Sequence, residues 1–252
     1  RRRDRGIHAE RAGSHTRQSG AQGPAAEEAA RAHAARTVPD GWPASRDRYG
    51  AGMTPVVHVT GNPEADQLLS EEPLALMIGM LLDQQVPMEW AFGAPLRLRD
   101  RLDGRLDAAE IAALGPDRLE AVFRGPPALH RFPGAMGKRT QALCQVLVDD
   151  YGGDAAQVWA NVDTGAELLR RLKALPGFGG EKARIFAALL AKRFGVRPPG
   201  WEEATAPFSD DQPRSVADID SAESLAKVRA WKKMMKAKDA PAGQTPSGES
   251  NA

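Results

Sequence analysis

Nine consecutive apolar residues, "LALMIGMLL" at 74–82, constrain the fold more than any other stretch of this chain. A bilayer crossing needs about 20 such residues, so the run belongs inside a protein. A helix built from it is apolar on every side and has no face to give to water. It must sit at the centre of a core, with other elements wrapped around it. The preceding "SEEP" predicts its start, with Ser70 as N-cap and two acidic residues near the positive helix end.

The rest of the chain supplies amphipathic helices to cover that centre. "NPEADQLLS" opens with Asn62 as N-cap and Pro63 at the first helical position. "DAAEIAALGPDRLEAVF" reads as two short helices broken at Gly115-Pro116, the second capped by Asp117 or its neighbour. "GKRTQALCQVLVDDYGG" is amphipathic and stops at Gly152-Gly153. "DTGAELLRRLKAL" starts at Asp163 and spaces Leu168, Leu169, Leu172 and Leu175 helically. "EKARIFAALLAKRFG" puts Ile185, Phe186, Leu189 and Leu190 on one side and ends at Gly195. "DSAESLAKVRAWKKMMKAK" is a Lys-rich helix with Leu225, Val228 and Met235 on one stripe. Only "PVVHV" at 55–59 reads as a strand. The expected fold class is all-α, with many short helices joined by tight turns.

Residues 1–52 are rich in Arg, Ala, Gly and Ser and nearly empty of large aliphatics, so they are expected to be disordered. Met53, the first methionine, stands where globular patterning begins. Residues 1–52 read either as an upstream extension or as a basic arm that touches DNA. The helical domain is expected over 53–238, with a floppy tail over 239–252. Cys144 is the lone cysteine, which excludes an intramolecular disulfide and any multi-cysteine metal site. It fits a reducing cytoplasm. A net charge of +1 decides nothing about partners; the clustering of the basic residues does.

"LPGFGGEKA" at 175–183 joins two of these helices. Glycines at such a turn allow positive φ and let a large anion reach the backbone. The following helix N-terminus adds partial positive charge, so the turn can grip a phosphate without reading sequence. It also reads as an ordinary helical hairpin with glycine as a C-cap.

With an amphipathic helix before it and an apolar one after, this stretch resembles the helix-hairpin-helix of the DNA glycosylase superfamily that includes endonuclease III. "LMIGMLLDQQV" at 76–86, "FPGAMGKRTQAL" at 132–143 and "DTGAELLRRLKAL" resemble that family in the same order, and together they cover about residues 62–196. The resemblance implies a duplex-DNA-binding, monomeric, nucleoid-associated protein of base excision repair. It implies that the backbone of Gly177, Phe178, Gly179 and Gly180 holds phosphates, with a monovalent cation at the hairpin. Gln85, with Gln84 beside it, matches the residue that fills the gap left by a flipped base. His130, Arg131, Lys138 and Arg139, around a turn expected at 132–137, suggest a second phosphate contact, and Lys182 adds to a basic face.

The match fails at the chemistry. Lyases of the family carry a Schiff-base lysine where Glu181 stands; Lys182 comes one place later, about 100° round the helix. No lyase activity is expected. The family's aspartate after the hairpin has no counterpart at the usual spacing in "GVRPPGWEEATAPFSDD". "SVADID" offers Asp218, with Asp220 as rival, for stabilising an oxocarbenium-like sugar, although either can simply cap the last helix. The expectation is therefore a monofunctional DNA glycosylase without an iron–sulfur cluster. The alternative is a non-catalytic DNA-binding module with the same fold.

Overall fold

The computed structural model describes residues 57–238 of the chain. The expectations for residues 1–52, for Met53 and for the tail after 238 lie outside the described residues. Ten α-helices and two 3₁₀ turns are found there, and no strand. In chain order the helices are α1 (Pro63–Glu71), α2 (Pro73–Leu82), α3 (Met88–Arg101), α4 (Ala108–Ala112) and α5 (Pro116–Arg124). They continue as α6 (Pro133–Tyr151), α7 (Gly165–Ala174), α8 (Gly180–Phe194), α9 (Trp201–Thr205) and α10 (Ala222–Lys238). The 3₁₀ turns are Ala155–Val158 and Val216–Asp218.

The all-α expectation is met, and α2 takes the central place its composition demands. Every residue from Leu74 to Leu82 is buried. The helix packs against α1, α3, α6 and the first 3₁₀ turn. Gly79 allows the α2–α3 contact, since a Cβ there would lie 2.8 Å from Phe92 Cδ1. Around α6 gather α4 and α5, while α8 gathers α7, α9 and the second 3₁₀ turn. No described helix is long and apolar enough to cross a membrane.

Several local expectations shift. Ser70 does not cap α2; it lies in the last turn of α1, where its hydroxyl donates to Asp66 O at 2.7 Å. Glu72 takes the N-cap position of α2 instead. Asp117 is inside α5, whose N-cap is Gly115 ahead of Pro116. Thr164 rather than Asp163 caps α7, accepting from Glu167 N–H. Of the proposed strand, residues 57–59 are described and belong to no sheet; the N–H groups of Val59 and Thr60 donate instead to the Asp66 carboxylate on α1. Alternation of valines there reflects two buried contacts rather than sheet pairing. Met235 is 37% exposed, so the stripe on α10 stops at Val228. Helix α3 is not marked by the sequence pattern, because Pro95 inside it interrupts the signal of a helix.

Candidate functional site

The hairpin joins α7 to α8 through residues 175–179, and its geometry follows from the glycines. Gly177 has φ +82, where a side chain would be strained. A Cβ there would also fall 2.3 Å from Leu81 Cδ1 and 2.8 Å from Arg139 Cδ. The turn therefore lies directly on the end of α2 and on α6, and only glycine permits that approach. Around Gly179 there is open space, and Gly180 meets only the distant Lys173 Cε.

The aromatic residue of the turn faces inward. Phe178 is buried and meets Phe186 edge-on at 5.6 Å between ring centres. Its N–H closes the turn onto Leu175 O at 3.1 Å. At the start of α8 the position is reversed. Gly179 is the N-cap and supplies no side chain, so the first N–H groups of the helix have no intrahelical or capping partner. Gly179, Gly180 and Glu181 are exposed there. This end presents donors and a positive dipole to solvent, with the exposed Glu181 carboxylate in the first turn.

Lys182 does not join that surface. Its ammonium donates to Met80 O at 2.7 Å, Leu81 O at 2.9 Å and Asp83 O at 3.3 Å. It caps the carbonyl end of α2 and clasps α8 to the loop that follows. Burial pulls its pKa down to about 8, against the attraction of Asp83. Burial likewise raises the Asp83 carboxyl above the usual range, against Lys232 and Lys182. Lys182 thus holds the site together from behind instead of offering a surface charge.

The two glutamines separate sharply. Gln84 is tied down: its amide donates to Leu81 O at 2.7 Å and its carbonyl accepts from Arg139 Nη1 at 2.9 Å. Gln85 is exposed and sits at φ 54, a left-handed conformation that a glutamine adopts at a cost. Backbone strain of this kind collects where surrounding contacts force a side chain into a set direction. Of the pair, Gln85 is the one presented outward, beside the hairpin that rests on Leu81 and Arg139.

His130 braces the same loop and is not a phosphate contact. It is 1% exposed, and its Nε2–H donates to Gln84 O at 2.9 Å. Its Nδ1 accepts from Phe132 N–H at 3.1 Å, so one nitrogen donates and the other accepts. That is the pattern of a neutral ring, and burial lowers its pKa accordingly. The expected turn at 132–137 is instead the start of α6, with Pro133 at its first position. Lys138 and Arg139 are both exposed on that helix. Phe132, unremarked in the sequence, is 44% exposed, with the Arg131 guanidinium 4.8 Å above its ring. Nothing in its spacing marks it; an aromatic residue outside a helical stripe is legible only once its exposure is known.

Asp218 lies elsewhere. Its Oδ1 meets Lys192 Nζ at 2.6 Å, with side chains only 12% and 8% exposed for the lysine and aspartate. Its Oδ2 accepts from the N–H groups of Arg214 at 3.0 Å and Ser215 at 2.9 Å, completing a capping box around the 3₁₀ turn. Asp220 pairs with Arg193 at 3.0 Å; a Ser224 hydrogen bond, then Arg193, hold its carboxyl below the ordinary range. Lys192 is 12 residues beyond Gly180 on α8, about 18 Å along the axis. Both aspartates line an open cavity of about 470 Å³ with Arg197 and Trp201, at the opposite end of α8 from the hairpin. The structure brings Gly177, Gln84, Gln85, Arg139 and Lys182 together and leaves Asp218 and Asp220 apart from them.

No protein-family model matches this sequence, and no curated protein matches it.

Proposed function

We propose that this chain is a duplex-DNA-binding protein of the helix-hairpin-helix, base-excision-repair type. The contact between Gly177 and Arg139, with Arg139 in turn bonded to Gln84, carries the reading. Through it, the uncapped start of α8 and the outward Gln85 belong to one neighbourhood. Phosphate oxygens suit the N–H groups of Gly180 and Glu181, and Arg139 and Lys138 add charge nearby. Gln85 has the length and the amide to enter a base stack and bond an orphaned base. Phe132, linked to the Gln84 loop through His130, offers an exposed ring for stacking. The carbonyls of Leu175 and Gly179 each accept one N–H; their second lone pairs are what a monovalent cation at this turn would use.

Hydrolysis of an N-glycosidic bond by Asp218 does not follow from this arrangement. Both of its oxygens are engaged in holding the 3₁₀ turn and Lys192. The non-catalytic reading is the one the geometry favours. The test is a titration of the full chain against fluorescent duplexes, intact or carrying uracil, alkylated or oxidised bases. Binding that weakens as salt rises, with no alkali-labile strand break on any lesion, is expected. A protein that binds no duplex at 50 mM salt would sink the proposal. Strand breaks that disappear in Asp218→Asn would restore the glycosylase.

A further inference from the structure

Helix α10 is anchored over only part of its length. Leu225 and Val228 are buried, and Trp231 is half-buried with the Arg214 guanidinium 5.2 Å from its ring centre. From Lys232 to Lys238 every residue is exposed, including Met234 at 42%. That end reads "KKMMKAK", four lysines and no acid. The sole carboxylate on the helix, Glu223, is already paired with Lys227 at 2.7 Å. Lys232 and Lys236 stand four apart and Lys233 and Lys236 three apart, so like charges face each other. An unpacked helix end with mutual repulsion is marginal by itself in water. An anionic partner supplies what it lacks.

Its position says which partner. Arg229 pairs with Glu89, and Lys232 Nζ donates to Met88 Sδ at 3.1 Å. Those residues open α3, three and four places after Gln85. Lys232 also favours the charged form of Asp83, immediately before Gln84. The lysine-rich end therefore begins at the margin of the loop that presents Gln85. Lys233 and Lys236 share a face and stand about 4.5 Å apart along the helix axis, between one and two nucleotide steps of about 3.4 Å on one strand.

We propose that the C-terminal end of α10 is a second DNA-backbone contact, with Lys233 and Lys236, neighbours on one face of the helix, on phosphates flanking those the hairpin engages. This rests on the duplex-DNA-binding reading above and extends its footprint. The contact is electrostatic and sequence-independent. The exposed methionines also suit an anionic lipid surface, but seven residues offer little apolar face to bury there, and the continuity with the Gln85 loop favours DNA.

The experiment measures duplex affinity against salt for the full chain and for the double variant Lys233→Ala, Lys236→Ala. Alanine favours helix, so α10 is preserved, and circular dichroism checks this. Each lost phosphate contact removes about 0.9 from the slope of log affinity against log salt. A decrease of about 1 to 2, with affinity at 0.1 M salt reduced at least about tenfold, is expected. If the slope is unchanged while Arg139→Ala still weakens binding, the lysines are a solvated end and only this proposal falls. If the variant loses affinity for phosphatidylserine–phosphatidylcholine vesicles and keeps its DNA slope, the partner is lipid and the proposal is overturned. If the unaltered protein binds no duplex, the reading on which it rests falls as well.

Discussion

The two ends of helix α8 carry opposite physics. At the start, Gly179 provides no cap, and the first N–H groups face solvent beside exposed glycines. At the far end, Lys192 and Arg193 are consumed by Asp218 and Asp220. One end keeps its hydrogen-bonding capacity open; the other spends it internally. Unsatisfied donors at a helix start suit a ligand that arrives from outside, whereas a nearly buried ion pair with all carboxylate oxygens occupied suits a structural clamp. Exposed pairs such as Arg124–Glu120 contribute about 0–1 kcal/mol. The Lys192–Asp218 pair belongs to a different class, because removing one partner strands the other charge away from water.

The largest effect expected is at the clamp. Asp218→Ala should lower unfolding free energy by about 3 kcal/mol, read from a denaturant midpoint. Its DNA affinity should stay within about twofold of the original. A variant that keeps its stability and loses DNA affinity would collapse the contrast between the two ends.

The hairpin end responds in the other way. Gly177→Ala forces a Cβ against Leu81 and Arg139 at positive φ, costing about 2 kcal/mol from strain and overpacking. The turn must then lift from α2 and α6. Duplex affinity should fall at least about tenfold, in an anisotropy titration at a temperature where the variant is still folded. Full binding by the folded variant would show that the docked hairpin is not the contact.

The smallest effect is the sharpest. Gln85→Gly relieves a left-handed residue, so stability should rise by about 0.5 kcal/mol. Affinity for a duplex containing an abasic gap should nevertheless fall several-fold, because the inserted amide is gone. A gain in stability with unchanged gap affinity would assign Gln85 to backbone geometry alone.

The sequence reading was most secure where a pattern repeats. Glycine ends at Gly152 and Gly195 fall in the left-handed conformation expected of helix stops. The run at 74–82 lies in the centre because nothing in it tolerates water. Capping was less legible: Asp163 and Thr164 are both able acceptors one residue apart, and only backbone direction chooses Thr164. Basic residues were the least legible. Lys182 and Arg139 look alike in sequence, yet one is turned onto three carbonyls while the other reaches Gln84 from an exposed face. His130 counted as a positive charge until burial and two hydrogen bonds made it neutral.

By itself the sequence determined an all-α chain, a buried central helix and a glycine turn between two helices. Those depend on local periodicity and on what single residues permit the backbone. The tertiary structure decided which polar side chains face solvent, since that depends on neighbours from distant segments. It turned Lys182 inward, sent Gln85 outward and set Asp218 at the far end of α8. A charge in a sequence has a sign, but its work is fixed only by the groups that fold brings within hydrogen-bonding distance.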